Sequence, residues 1–378
     1  MNKYKLNSIT FSIMFILLIN STLLGILIPY LITKTKTSII ISLGISFILG
    51  FILLFIFFKL FNYLPDKNLF EKIDYVFPKP LAKLLNLVIL ILTFAFLSII
   101  FFRISTFISS EFLTESPDYV VPIILVTQII YFSCFDVGTS SRIAVVSLVL
   151  GLIMYLTNAF TLTQDIDLSN FKPLLNNTFN ILSKSSITYI LVYMSPLFLL
   201  LLIPKNNIVD NTKLTKKLTL SYIISFISSS IISIIIFGVL GYNIASLYNY
   251  PSYAVLKTMN VFSFLDNLEN LNILVLVLFR SYACGYSLLF IKYLVNHLFS
   301  NKKVKKILFI LLILSFVFIT IMTLPYETYL TKLKIKYAYL ILPISLAYLS
   351  ITIIIPLVGK LKKYAKWLWQ NTNWNVSA

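Results

Sequence analysis

Chemistry-bearing side chains are scarce in this sequence. Of 378 residues only 12% are charged, 13 are Asp or Glu, one is His and two are Cys. The single histidine, His297, gives no metal-ligand spacing and stands beside the lysine-rich segment 302–306, so neither a metal centre nor a Ser/His/Asp centre is expected. The nine glycines never fall as GxGxxG or GxxxxGK[ST], which excludes a glycine loop cradling phosphates. Cys134 and Cys284 both lie within apolar runs, the pattern of core thiols rather than of a disulfide. Neither an enzyme nor a bound cofactor is expected. Carboxylates are also missing from the interior of the apolar runs. A proton-driven carrier needs a titrating group in its pathway, so that absence weighs against proton coupling.

What the sequence has in abundance is apolar surface. The apolar fraction is 59% and the mean hydropathy +0.93, against roughly 45–50% apolar usage in soluble domains. A hydrocarbon core about 30 Å thick takes roughly 20 helical residues. On that ruler ten spans fall near 8–32, 38–60, 84–112, 119–135, 143–160, 187–204, 218–242, 271–299, 307–324 and 337–357. Helices are required because lipid satisfies no backbone N–H or C=O, and the runs lack the alternation of a barrel strand. The first run, Ile9 to Ile32, exceeds the roughly 7–15 residues of a signal-peptide core and reads as a retained span.

The net charge of +18 sets the orientation. With the N-terminus cytoplasmic, 20 of the 31 Lys and Arg residues fall in inner segments, 8 in outer ones and 3 inside spans. Basic residues favour the cytoplasmic face, so both termini are expected there. This excess suits anionic membrane lipid, and nucleic acid is not expected as a partner. The whole chain reads as one transmembrane domain. Its outer connection 243–270 carries apolar residues at helical spacing and is expected to form a capping helix. Its basic tail 360–378, with Trp367, Trp369 and Trp374, reads as an interfacial anchor.

Candidate binding residues come from interruptions and from buried charge. Span 1 carries Asn20-Ser21-Thr22, Gly25 and Pro29, and span 6 carries Ser195-Pro196 at its centre. Broken helices at matching places in two halves of five spans are where inverted-repeat transporters bind their ligands. Arg280 lies about 16 Å along span 8, too deep to snorkel freely. Cys284 and Ser287 share its face. Two readings of Arg280 stand: a cation for a ligand carboxylate or gate, or a structural arginine satisfied by carbonyls at a helix break. Arg103, roughly 30 Å along span 3, is expected to snorkel to the outer interface.

Several stretches together resemble one family. Glu115-Ser116-Pro117, opening span 4, resembles the E-T-P of the endospore germination permeases. DLSNFKPLL, Asp167 to Leu175, is similar to their D-L-S-N-L-x-P. Tyr250-Pro251 followed by NVFSFLDNLENL resembles their Y-P and loop segment, and Arg103 and Arg142 fall at family-like places. These are the GerAB-type B subunits of spore germinant receptors, in the amino acid–polyamine–organocation superfamily. The chain departs from the pattern at Asp266 and Asn267 in the loop, and at Asp136, where glycine is common. The resemblance implies an all-α, LeuT-like bundle of five plus five helices with a pocket among spans 1, 3, 6 and 8. It leaves open whether Thr22 or Gly25 takes the family's glycine role. The candidate ligand set is therefore Thr22, Gly25, Arg103, Ser195, Pro196, Arg280 and Cys284. The resemblance further implies a receptor with an A subunit and a lipoprotein C subunit, sensing a small nutrient such as an amino acid in the spore inner membrane. A transporter of amino acids or ions, or a pore or scaffold subunit that binds no nutrient, are the alternatives.

Overall fold

The computed structural model describes residues 5–117, 119–257, 268–323 and 337–374. Each of the ten apolar runs is helical. Span 1 is split into α1 (Ser8–Asn20) and α2 (Ile28–Thr35) by a wide turn over Leu23–Leu27. Span 2 is α3 (Ile39–Asn62), the short α4 (Leu69–Val76) follows it, and span 3 is α5 (Lys79–Glu111). Spans 4 and 5 are α6 (Val120–Cys134) and α7 (Val137–Leu162). Span 6 begins as α8 (Phe179–Met194) and tightens into a 3-10 helix over Ser195–Leu202, and span 7 is α9 (Leu214–Ala245). The connection between spans 7 and 8 contributes α10 (Pro251–Lys257), while 258–267 of the expected capping helix lies outside the described residues. Spans 8, 9 and 10 are α11 (Leu268–Leu298), α12 (Lys302–Thr323) and α13 (Tyr337–Trp374). The basic tail is a continuation of α13, whose helix passes Gly359 and reaches Trp374.

Among the described residues, six helical stretches are long and apolar enough to cross a membrane. Their burial sorts them. Span 6 is nearly nine-tenths buried and runs through the centre of the bundle, whereas α12 is only about one-tenth buried and lies at its rim.

Loop chemistry ties the ends together. At the end holding the N-terminus, Leu6–Asn7 pairs in parallel with Ile208–Val209, joining the lead-in of span 1 to the exit of span 6. The first turn of α4 is closed by reciprocal bonds between Asn68 and Glu71, a capping box. From α4 the buried Lys72 donates to the Leu60 carbonyl at 2.9 Å, serving the end of α3, and burial pushes its pKa down to about 7. Asp74 accepts from Asn86 at 3.3 Å and meets His297 Nε2 at 2.7 Å. His297 is thus a partner of α4. Lys292, which the sequence also places at the inner end of span 8, donates to the Ser133 carbonyl at 2.7 Å, in the last turn of α6. Asp136 caps α7 through the Thr139 N–H at 2.8 Å, and that bond holds its carboxyl below the usual range.

At the opposite end the DLSN motif docks on α9. Asp167 N–H and the Asn170 side chain both donate to the Gly238 carbonyl, at 3.1 and 2.8 Å. Asn170 also packs on Gly241, whose φ of 65° kinks the helix there.

Candidate functional site

The site begins with one glycine. Leu24 has ψ 130° and Gly25 has φ 73°, so the peptide turns out of helical geometry within span 1. The left-handed conformation at Gly25 suits a residue without Cβ. Leu27 N–H still reaches the Thr22 carbonyl at 3.2 Å across the widened turn. The carbonyls of Leu24 and Gly25 take their donors from elsewhere.

Two arginines supply them. Arg103 Nη2 donates to the Gly25 carbonyl at 2.9 Å, and Arg280 Nη2 donates to the Leu24 carbonyl. Arg280 Nη1 also donates to the Arg103 carbonyl at 3.3 Å, joining spans 3 and 8. The Arg103 guanidinium lies between the rings of Tyr250 and Tyr337, 4.4 and 4.2 Å from their centroids. Tyr250 and Thr106 share a hydroxyl hydrogen bond of 2.9 Å. Spans 1, 3, 8 and 10 and the loop helix α10 therefore meet at one clasp on the helix break.

This corrects the reading of Arg103. It is 2% exposed and does not snorkel. Residue counting along a straight helix ignored the long α5 and the carbonyls waiting beside it. Arg280 is 1% exposed, and its Nη atoms donate to two backbone carbonyls, one of them at the helix break, the geometry of a structural arginine, while its buried Nε meets no acceptor among the described residues. Thr22 precedes the turn that the arginines hold, and Gly25 lies within it.

The other candidates lie elsewhere. Span 6 is not broken at Ser195-Pro196: Ser195 keeps helical angles, its hydroxyl donates to the Val192 carbonyl at 2.8 Å, and the chain tightens into the 3-10 segment. Proline is tolerated at the start of a helical segment, which is where Pro196 sits. The expected pair of breaks is one break and one tightening. Cys284 is buried one turn along α11 from Arg280, while Cys134 is exposed at the end of α6 rather than in the core, and both thiols are free.

A cavity of about 340 Å³ adjoins the break. It lies between spans 1, 5, 7 and 8 with α10 over one end, and span 3 contributes only Phe107. The resemblance implied spans 1, 3, 6 and 8. None of Thr22, Gly25, Arg103, Ser195, Pro196, Arg280 and Cys284 lines this cavity; the flanking Leu24 and Phe279 do. Its described walls are mainly apolar; Asn20, Tyr155, Ser225, Ser228 and Ser229 form a polar pole, and Ser252 and Tyr253 of α10 line it elsewhere. There the Asn20 amide donates to Ser225 Oγ at 2.6 Å, and the Tyr193 hydroxyl, from behind, meets Asn20 Oδ1 at 3.2 Å. The sequence carried a signal for this pole that was not read. Ser225, Ser228, Ser229 and Ser233 recur at i, i+3, i+4 and i+8, one face of span 7.

Comparison with solved structures places the fold. The chain is similar to a Na+-coupled sialic acid symporter in a substrate-bound outward-open state, with a TM-score of 0.59 and 12% identity over 91% of this chain and 79% of that one. It is also similar to the Eremococcus coleocola manganese transporter in complex with an aromatic bis-isothiourea substituted compound, with a TM-score of 0.52 and 13% identity over 93% and 76% of the two chains. The architecture is that of the LeuT-fold transporters. No curated protein sequence matches the chain. The family model described as spore germination protein matches residues 6–328, which hold the broken helix and most of the bundle, and the chain, a permease-like integral membrane protein, therefore belongs to the spore germination protein family.

Proposed function

We propose that this chain is the permease-like subunit of a spore nutrient-germinant receptor, acting with an A subunit and a lipoprotein C subunit in the spore inner membrane. A small ligand in the cavity resets the break in span 1, and that movement is the signal. The observation that carries this reading is that Leu24 belongs to both parts. Its side chain lines the cavity and its carbonyl is held by Arg280. A ligand that binds one arrangement of the break better than the other shifts its population, which is all that sensing requires. No carboxylate is among the described residues that line the cavity, which supports sensing over proton-coupled transport.

Filling the cavity tests the reading. Ser228→Phe is expected to raise the half-saturating germinant concentration about tenfold, roughly 1.4 kcal/mol of lost binding, with receptor level in the spore membrane unchanged. Germination of the variant strain against a panel of amino acids, sugars, salts and uncharged short-chain alcohols and amides measures it. A dose–response identical to wild type would remove the cavity from the signal. The second reading, an amino-acid or ion transporter, draws on the two transport proteins that share the fold. Ligand uptake into vesicles holding the purified chain would favour it.

The orientation, with both termini cytoplasmic, rests on the distribution of basic residues. In a background lacking Cys134 and Cys284, a cysteine at position 177 should react with an impermeant thiol reagent in right-side-out vesicles. One at position 211 should not, and its labelling would invert the assignment.

A further inference from the structure

The chemistry of the cavity departs from what an amino acid needs. Among the described residues it is bounded chiefly by aliphatic and aromatic side chains, with no charged side chain, and its volume of about 340 Å³ lies at the lower end of the roughly 300–1,000 Å³ range of small-molecule sites. A carboxylate or ammonium brought here would lose its hydration with no opposite charge to replace it, and burying an unpaired charge is prohibitive.

The pole narrows the choice further, because three of its four hydroxyl protons are already spent and Ser225 is engaged by Asn20 and Tyr193. Ser228 donates to the Ser225 carbonyl at 2.9 Å, Ser229 to the Phe226 carbonyl at 2.9 Å, and Tyr155 to the Ser228 carbonyl at 3.3 Å. Each hydroxyl oxygen keeps acceptor capacity after donating its one proton. The pole therefore offers lone pairs and asks for a donor. An alcohol O–H or an amide N–H answers it, whereas a carboxylate, which only accepts, does not.

The mouth points the same way. Leu152 and Leu156 on α7 are 49% and 65% exposed, and Ile224 on α9 is 54% exposed, yet all three line the cavity. All three lie within spans 5 and 7 rather than in their loops, so the opening between them is on the lipid side of the two helices. A molecule that partitions into the bilayer reaches the cavity sideways.

We propose that the cavity takes an uncharged small molecule with an apolar body and one hydrogen-bond-donating head, entering from the bilayer between spans 5 and 7, and that it rejects zwitterionic amino acids. This rests on the reading of the cavity as the ligand site. The head sits at Ser225, Ser228 and Tyr155, and the body lies against Leu148, Ile232 and Phe279.

The test holds the body constant and changes the head. The full chain in lipid nanodiscs is heated with hexan-1-ol, hexanamide, hexanoate, hexylammonium or norleucine. The first two are expected to raise the unfolding temperature saturably, with apparent affinity about tenfold weaker in Ser228→Phe. The three charged probes are expected to give no saturable rise. Leu152→Trp, at the mouth, is a second filling variant should Ser228→Phe fail to fold. Tighter binding of norleucine, hexanoate or hexylammonium, lost in the filled variant, would overturn the ligand class. No response to any probe, or equal responses of wild type and filled variants to the neutral ones, would overturn the site. Native mass spectrometry that finds a membrane lipid retained by wild type and lost from the filled variants would also overturn the proposal, since a lipid chain would then be the occupant. Failure of this class leaves the receptor reading standing if the filling variants still shift germination. Binding of hexanamide with germination unaffected by filling would fail the receptor reading and keep the site.

Discussion

Replacing Gly25 with alanine is expected to remove most of the folded protein from the membrane. At φ 73° an L-residue costs roughly 1–2 kcal/mol relative to glycine. The new Cβ would also lie 2.9 Å from Arg280 Nη2 and 3.0 Å from the Tyr250 ring. Neither neighbour can retreat cheaply, because Arg280 bonds two carbonyls and Tyr250 bonds Thr106 and stacks on Arg103. Overpacking of this kind adds about 1–3 kcal/mol. The two terms together approach the stability of a whole domain at the low end of roughly 5–15 kcal/mol. Gly44→Ala is the internal control, since a Cβ there meets nothing within 4 Å. It should be neutral, or gain up to about 1 kcal/mol from helix propensity. Quantified protein in the membrane and the unfolding temperature of the purified chain decide the matter. Equal values for the two alanine variants would mean that the break tolerates a side chain and is not a fixed hinge.

The sequence was most legible where hydropathy alone decides the structure. Among the described residues each of the ten apolar runs is helical, because a backbone in lipid has so few ways to satisfy itself. Gly25 was legible for a related reason, as a glycine in an apolar run beside Asn20-Ser21-Thr22 marks a place where a helix opens. Depth was less legible. Arg280 was placed in the interior by counting from its nearest loop, but the same count sent Arg103 outward. Count measures distance along a helix axis, whereas burial depends on tilt and on what packs alongside. Pro196 misled because proline lacks one donor whether a helix breaks or only tightens. The cavity was beyond single-residue reading. It exists because spans 1, 5, 7 and 8 stand together around a gap, and that adjacency is a product of long-range packing. Only the serine stripe on span 7 announced a face with something to meet.

Arg280 separates a structural clasp from a ligand cation by what its variants change. Its guanidinium is planar and carries five donors, which lets it reach the Leu24 and Arg103 carbonyls from two different helices at once. Lysine keeps the charge on one nitrogen and cannot span both in the same fork. Glutamine keeps a donor and loses the charge. Hydrogen bonds from a charged donor are worth about 1.5–3 kcal/mol each, and an orphaned buried carbonyl costs about 1–3 kcal/mol. Arg280→Gln should therefore destabilise the chain by about 3–5 kcal/mol, and Arg280→Lys by roughly half of that. Arg103→Gln loses the donor to Gly25 and the charge between the two tyrosine rings, and should fall in the same range. The two sites hold successive carbonyls of one turn, so their effects should not add. Once either arginine is gone the turn is loosened, and the second loss costs less, with a coupling of about 0.5–3 kcal/mol. Unfolding of the single and double variants in the same detergent measures that coupling. Strict additivity would mean that the arginines brace separate structures and the clasp is not one unit. Variants with normal abundance and normal stability, but with a raised half-saturating germinant concentration, would instead return Arg280 to the role of a cation that meets the ligand.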